Sequence, residues 1–286
     1  KVIADNYVSD IDNRQLLAFQ MSGYTINEGT LWKDIKNLNP GHFIFIENQK
    51  NIYIEKYFFY KPWSVKNQPY EKFKKELKVE IKTILKNLIK NANGRTIAIP
   101  LSAGLDSRLV ASGLKELKYN NVKCYSYGLK NNYESHASEI IAQKLGYKWT
   151  FVEITQSKAK DFYLRNVYKN FISNTSDGCA TTSIQGLYAI DYLLRNSYLC
   201  QDDIIVNGNS GDFITGGHIP LIKQSSKNSN NINLLYNDLI EYHFNKHYSL
   251  WDALTSEKNK NIIKEQLLIQ IKKNSYDINE NFMSEG

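Results

Sequence analysis

Cysteine is scarce in this 286-residue chain: Cys124, Cys179 and Cys200 are the whole supply. Three separated thiols form neither the paired framework of a small secreted domain nor a C-x-x-C metal or redox site. They point to a reducing, cytoplasmic compartment. Long apolar runs are missing too. HFIFI (from His42) and YFFY (from Tyr57) are far short of the roughly 18 to 20 residues that cross a bilayer. The amino end, KVIADNYVSDIDNRQLLAF, lacks the basic head and apolar stretch of a secretory signal. No Walker pattern G-x-x-x-x-G-K-[ST] occurs, which removes a kinase-like phosphate loop. There is no arginine-rich tract interleaved with aromatics, and no internal repeat. The first residue is Lys1 rather than methionine, so the expectation is a fragment or a processed chain.

What is present suits a folded protein. Apolar residues make up 42% and aromatics 13%, enough for a real core in one large or two modest domains, which excludes disorder and fibrous repeats. The net charge of +7 fits nucleic acid, an anionic surface or phosphate-bearing substrates equally well. Lys72, Lys74, Lys75, Lys78, Lys82 and Lys86 alternate with glutamates on one helical pattern, so a lysine-rich solvated face accounts for much of the charge.

Residues 1 to 64 read as short apolar alternations. Asn39-Pro40-Gly41 is a turn signal before His42–Glu47, and a second run follows from Asn51 to Tyr60, the pattern of a β-hairpin. Lys61 to Ser64 looks like a junction. From Tyr70 to Asn91, Phe73, Leu77, Ile81, Ile84, Leu85, Leu88 and Ile89 recur at threes and fours, as in an amphipathic helix. Apolar runs at 95–101, 122–127 and 149–154 then recur about 26 residues apart, with helical patterns at 107–117 and 135–145 between them. A later run lies at 203–207. This is βαβ spacing, and continuous apolar strands imply a parallel sheet covered on both faces. The polar stretch Gln224 to Asn233 reads as a loop, and two more helical patterns follow, at 232–248 and 259–272.

The chemistry concentrates where strand meets helix. Leu101-Ser102-Ala103-Gly104-Leu105-Asp106-Ser107-Arg108 follows a strand and opens a helix, the place where an open parallel sheet puts its ligands. Small residues let the backbone approach a bulky anion, and the helix start offers unpaired N–H groups to it. Asp106 would repel phosphate unless a divalent cation lay between them, and Mg²⁺ is the natural choice. A capped β-to-α turn without a ligand is the plain alternative. A second segment, Val206 to His218 (VNGNSGDFITGGH), also follows a strand and presents Asp212; two such loops can share one metal.

These segments carry a resemblance. LSAGLDSR resembles the Ser-Gly-Gly-Leu-Asp-Ser pyrophosphate loop of the ATP-pyrophosphatase (PP-loop) superfamily. NGNSGDFITGGH is similar to the Gly-Glu-Gly-x-Asp-Glu-x-x-Gly-Gly-Tyr segment of the glutamine-dependent asparagine synthetases. YESHASEIIAQKLG (Tyr133 to Gly146) looks like that family's acidic helix start. Gly23 to Glu47 resembles the stretch that ends its glutaminase domain. The resemblance runs from residue 20 to 220. It implies an α/β fold with a parallel sheet flanked by helices, adenine-nucleotide α-hydrolase-like and Rossmann-like. Residues 1–64 would be the β-rich tail of an N-terminal-nucleophile glutaminase domain, and 65–286 the synthetase domain.

The implied reaction uses ATP to adenylate a small-molecule carboxylate, after which ammonia, free or from glutamine, displaces AMP to give an amide. Ser102, Ala103, Gly104, Asp106 and Ser107 would hold pyrophosphate, with Asp106 and Asp212 on the metal. Leu101, Tyr127, Asn207 and Gly208 would frame the adenosine. No membrane and no nucleic acid is implied, and a homodimer is compatible with it.

The departures matter as much. Ala103 replaces a glycine, and its methyl group narrows the φ range. Arg108 stands where synthetases carry a small hydroxyl residue; it could clamp a phosphate or carboxylate bidentately or point to solvent. Asn209 replaces the Gly-Glu-Gly glutamate and cannot act as a base, and Phe213 replaces the next acid. Aspartate is therefore a doubtful acceptor, and a uronic-acid sugar of a surface polysaccharide is the favoured one. Two other readings stay open: an RNA-modifying ATP-pyrophosphatase, favoured by the basic charge, and a degenerate, non-catalytic partner subunit, favoured by Asn209 and Phe213.

Overall fold

A computed structural model describes residues 10–48, 50–58, 68–182, 184, 186–209, 211 and 232–283. They fall into two compact units interleaved along the chain. One holds the described residues of 10–58, 172–182 and 232–283; the other holds those of 68–171 and 184–211.

The second unit is the α/β part, and its strands form where the sequence is apolar on consecutive residues. β3 (Ile97–Pro100), β4 (Val122–Gly128), β5 (Lys148–Glu153) and β6 (Ile204–Ile205) make a parallel sheet in the order β5-β4-β3-β6. Alternation sends Ile97, Ile99, Leu101 and Cys124 into one core with Ala111, Leu114 and Ala142, and Ala98, Tyr125 and Val152 into another with Phe162, Ala189 and Leu193. Both faces are dry, which is why no polar alternation marks these strands. Burial pushes the Cys124 thiol up to about 12, so this cysteine packs as a small apolar group.

The helices of this unit are α2 (Tyr70–Ala92), α3 (Leu105–Glu116), α4 (Tyr133–Leu145), α5 (Gln156–Tyr163) and α7 (Leu187–Arg195). The unit boundary falls inside α6 (Asn166–Thr175). Local chemistry sets their ends. Asn132 caps α4 by accepting from Ser135 N, and Gly146 ends it at φ +70, a left-handed conformation that suits glycine. β6 is only two residues long. Asp203 secures it, its carboxylate accepting from Cys200 N at 3.0 Å and pairing with Lys123 Nζ at 3.4 Å.

Residues 13–22 of the other unit form helix α1 (Asn13–Ser22), although the apolar alternation expected there is that of strands. Asp12 decides the matter, accepting from Arg14 N and Gln15 N, and Gly23 closes the helix at φ +87. Ala18 and Met21 of α1 then share a core with Ile240, Phe244 and Tyr248 of α8 (Ile232–His247) and Ile263 and Leu267 of α9 (Glu257–Met283). The expected hairpin is present as β1 (His42–Glu47) and β2 (Asn51–Lys56), paired antiparallel. Ile44, Ile46, Ile52 and Ile54 are exposed on one face, and Phe43, Phe45 and Tyr53 on the other.

Segment 177–181 runs beside residues 23–31, with Thr25 N donating to Cys179 O and Leu31 N to Gly178 O. Gly178 has φ +73, and a side chain there would collide with the Trp32 ring. Gly178→Ala is therefore expected to cost about 2–4 kcal/mol, combining a left-handed backbone with overpacking. Urea unfolding checks this; an unmoved midpoint would mean that the Trp32 ring turns aside freely.

Of the stretch read as a loop, Gln224 to Asn233, residues 224–231 lie outside the described residues, as do Asp212, Phe213 and His218, while Ile232 and Asn233 open α8. Among the described residues no helix is long and apolar enough to cross a membrane.

Candidate nucleotide-binding site

Strand order places the site. The chain builds β3, β4 and β5 outward in one direction and then returns to lay β6 on the other flank of β3. The two loops leaving β3 and β6 thus diverge at a topological switch point, where an open α/β sheet leaves a crevice at its carboxyl edge.

A cavity of about 790 Å³ opens there, of a size suited to a small-molecule ligand. Its wall includes Leu101, Ser102, Gly104, Asp106 and Ser107 from the first loop, Tyr127 from the end of β4, and Asn207, Gly208 and Asn209 from the second loop. Of the residues expected from sequence, these converge. Ala103 and Arg108 are not on the wall; Arg108 Nε donates to Gly104 O at 3.0 Å and so braces the loop.

The first loop is held by its own serines. Ser102 N donates to the buried Ser107 Oγ at 3.1 Å, and Gly104 N donates to Ser102 Oγ at 3.1 Å. The residue before α3 is Gly104, which offers no side-chain cap. The N–H groups of the first helical turn are then left for solvent or an anion, reinforced by the positive end of the helix. Ala103 does not have a positive φ, so its methyl group imposes no backbone strain. The residues present fit a polyphosphate in this respect.

The second loop closes on the first. A Cβ at Gly208 would lie 2.6 Å from Ser107 N and 2.7 Å from the Asp106 carbonyl carbon, and one at Gly211 would collide with the Asp106 carboxylate. Asn207 Oδ1 accepts from Asn209 N at 3.3 Å, which tightens the turn. Asp106 is thus brought against the loop that leads to residue 212. Among the described residues no cluster of three metal-ligating side chains exists. A cation here would rely on Asp106, ligand oxygens and residues beyond those described.

Several wall residues were not singled out from sequence: Tyr125, Ser126, Glu134, Ser135, Phe171, Gly186, Leu187 and Ile190. Phe171, Leu187 and Ile190 are apolar, and a pattern of burial cannot distinguish a cavity wall from a core. Glu134 had a signal, the acidic start of α4. Burial and the neighbouring Tyr127 push the Tyr125 hydroxyl up to about 12. The described wall carries two carboxylates, Asp106 and Glu134, and no lysine, arginine or histidine.

A family profile described as Asparagine synthase matches residues 66–279. The chain belongs to the asparagine synthase family. It therefore carries an ATP-dependent amide-ligase domain of the PP-loop type. No curated protein matches it. Among solved structures it is similar to an NH3-dependent NAD synthetase from Campylobacter jejuni, at 14% identity over 71% of this chain and 94% of that one, with a TM-score of 0.32. A second is a predicted subunit of tRNA methyltransferase from Methanocaldococcus jannaschii, at 16% identity over 60% and 74%, with a TM-score of 0.25. Neither similarity is close enough to carry an argument.

Proposed function

We propose that this member of the asparagine synthase family adenylates the carboxylate of a uronic-acid sugar with ATP and converts it to an amide, using ammonia that is free or drawn from glutamine. The observation that carries the reading is the uncapped start of α3 facing the cavity, with Asp106 pressed under the second loop. A carboxylate resists attack by ammonia because oxide is a poor leaving group, and AMP is a good one. Splitting ATP at the α-phosphate requires charge on the departing pyrophosphate to be met by donors already in place.

Ser102, Ala103, Gly104 and Ser107 form the loop that would hold the pyrophosphate, with the uncapped N–H groups at the start of α3 as donors, and Leu101, Tyr127, Asn207 and Gly208 would frame the adenosine. Asp106 and Asp212 would hold Mg²⁺, which when bound neutralises charge on the pyrophosphate. Arg108 acts through the loop it braces.

Asn209 supports an acceptor other than aspartate. A neutral amide on the wall offers hydrogen bonds to sugar hydroxyls but no charge for a substrate ammonium. Residues 1–64 fit the tail of a glutaminase domain, since a two-stranded ribbon apolar on both faces is marginal in water unless a larger sheet covers it.

A pyrophosphate-release assay tests the reading, with glucuronate, galacturonate, aspartate and glutamate offered in turn beside ammonium and magnesium ATP. Release is expected with a uronate, and mass spectrometry should find its primary amide. Release with aspartate alone would refute the acceptor, and release only with tRNA would refute amide ligation.

A further inference from the structure

We propose that Glu134 is the proton acceptor for the amide-forming step, a role that rests on the ligase reading above. The chemistry requires such a group. The nitrogen lone pair forms a bond to the activated carboxyl carbon, the bond from that carbon to the AMP oxygen breaks, and its electron pair leaves with AMP. The new nitrogen substituent is cationic until it gives up a proton, and amide formation is not complete until something takes it.

The described wall offers few takers. Asn209 carries an amide, which is no base. The Tyr125 and Tyr127 hydroxyls are phenols, which in general keep their proton at neutral pH. Asp106 is packed under the second loop, where a side chain at Gly211 would strike its carboxylate, and its place in the phosphate loop gives it to the metal. Glu134 is the remaining carboxylate of the described wall, an acceptor-only group when ionised, at the β4 flank of the same cavity.

The fold fixes that position relative to the loop after β3. Ser135, next in the chain, is buried and donates through Oγ to Asn132 O at 2.9 Å, while its N–H donates to Asn132 Oδ1 at 2.8 Å. Ser138 Oγ lies 2.8 Å from Ser135 O and 2.5 Å from Ser126 Oγ, and its single proton serves either contact. Ser126 Oγ donates in turn to Leu101 O at 2.6 Å, the residue that opens the phosphate loop. A buried chain of hydroxyls therefore ties the first turn of α4 to the loop that grips pyrophosphate. Buried, satisfied networks of this kind hold geometry well.

The test separates activation from amide formation. ATP–pyrophosphate exchange reports adenylation alone, and the amide is quantified by mass spectrometry with ammonium, using the same four acceptors. Glu134→Gln should keep exchange within about threefold of wild type and lose amide formation by about 10²-fold or more, the range that general-base removal gives. The acidic limb of kcat/KM against pH for amide formation should vanish in this variant, and Glu134→Asp should recover part of the rate. A variant in which exchange and amide formation fall together, or in which the acidic limb persists, overturns the proposal. So does loss of the thermal shift given by magnesium ATP, which would make Glu134 a nucleotide ligand. A wild-type protein that binds magnesium ATP but exchanges pyrophosphate with none of the four acceptors removes the ligase reading, and this one with it.

Discussion

Asp106→Asn is expected to abolish the rise in Tm that magnesium ATP gives the wild-type protein. A ligand at 100 times its Kd stabilises the native state by about 2.7 kcal/mol, which for a chain of this size is a shift of roughly 5–10 °C. The substitution keeps shape and removes charge, so Mg²⁺ would lose one of the two carboxylates that would hold it. In the ligand-free protein the same change should be mild. Asp106 is in the first turn of α3, where its charge favours the helix by only about 0.3–1 kcal/mol. Differential scanning fluorimetry with and without magnesium ATP reads both quantities. A wild-type shift that survives in Asp106→Asn would take the metal away from this residue.

The second large effect belongs to Gly208, where the structure makes a demand that its sequence neighbours do not. Gly208→Val would drive a Cβ to 2.6 Å from Ser107 N and 2.7 Å from the Asp106 carbonyl carbon. Both are backbone atoms at the start of a helix and cannot swing aside as a side-chain tip does. Either the second loop lifts away or α3 shifts, and both open the cradle. The expected result is a loss of magnesium ATP affinity of 100-fold or more by calorimetry. A stability loss of about 1–3 kcal/mol should accompany it, the usual cost of overpacking. Gly104 contrasts with it: φ is −67, and an added Cβ would meet only Ser102 Oγ, at 3.1 Å. In the free protein, then, the glycine of the recognisable motif is the less constrained of the two. Affinity retained in Gly208→Val would show that the second loop is not part of the cradle.

The α/β pattern was readable because the strands are buried on both faces. Ile97, Ala98 and Ile99 in succession leave no polar alternation, and the helices between the strands carry their apolar residues at threes and fours. The β3–α3 loop was readable for a related reason: small residues and a helix start are both local features. Helix α1 was not readable as such. Its apolar positions do not form a strong stripe, and it exists through the Asp12 cap, the Gly23 stop and a core shared with residues more than 200 positions later. The last part of the chain carried little motif information for the same reason. Ile240, Phe244 and Ile263 look like any amphipathic helix until Ala18 and Met21 supply the other half of their core.

Local chemistry alone thus dictated the parallel α/β layer, the β3–α3 loop of small residues and the family to which they belong, because helix starts, turns and continuous apolar strands act over a few residues. Packing across the chain chose the rest. It laid β6 beside β3, so that Gly208 and Gly211 close on Asp106, set Arg108 against Gly104 O and put Glu134 on the cavity wall. Such juxtapositions depend on which distant segments meet, and side-chain type at one position does not encode its neighbour in space.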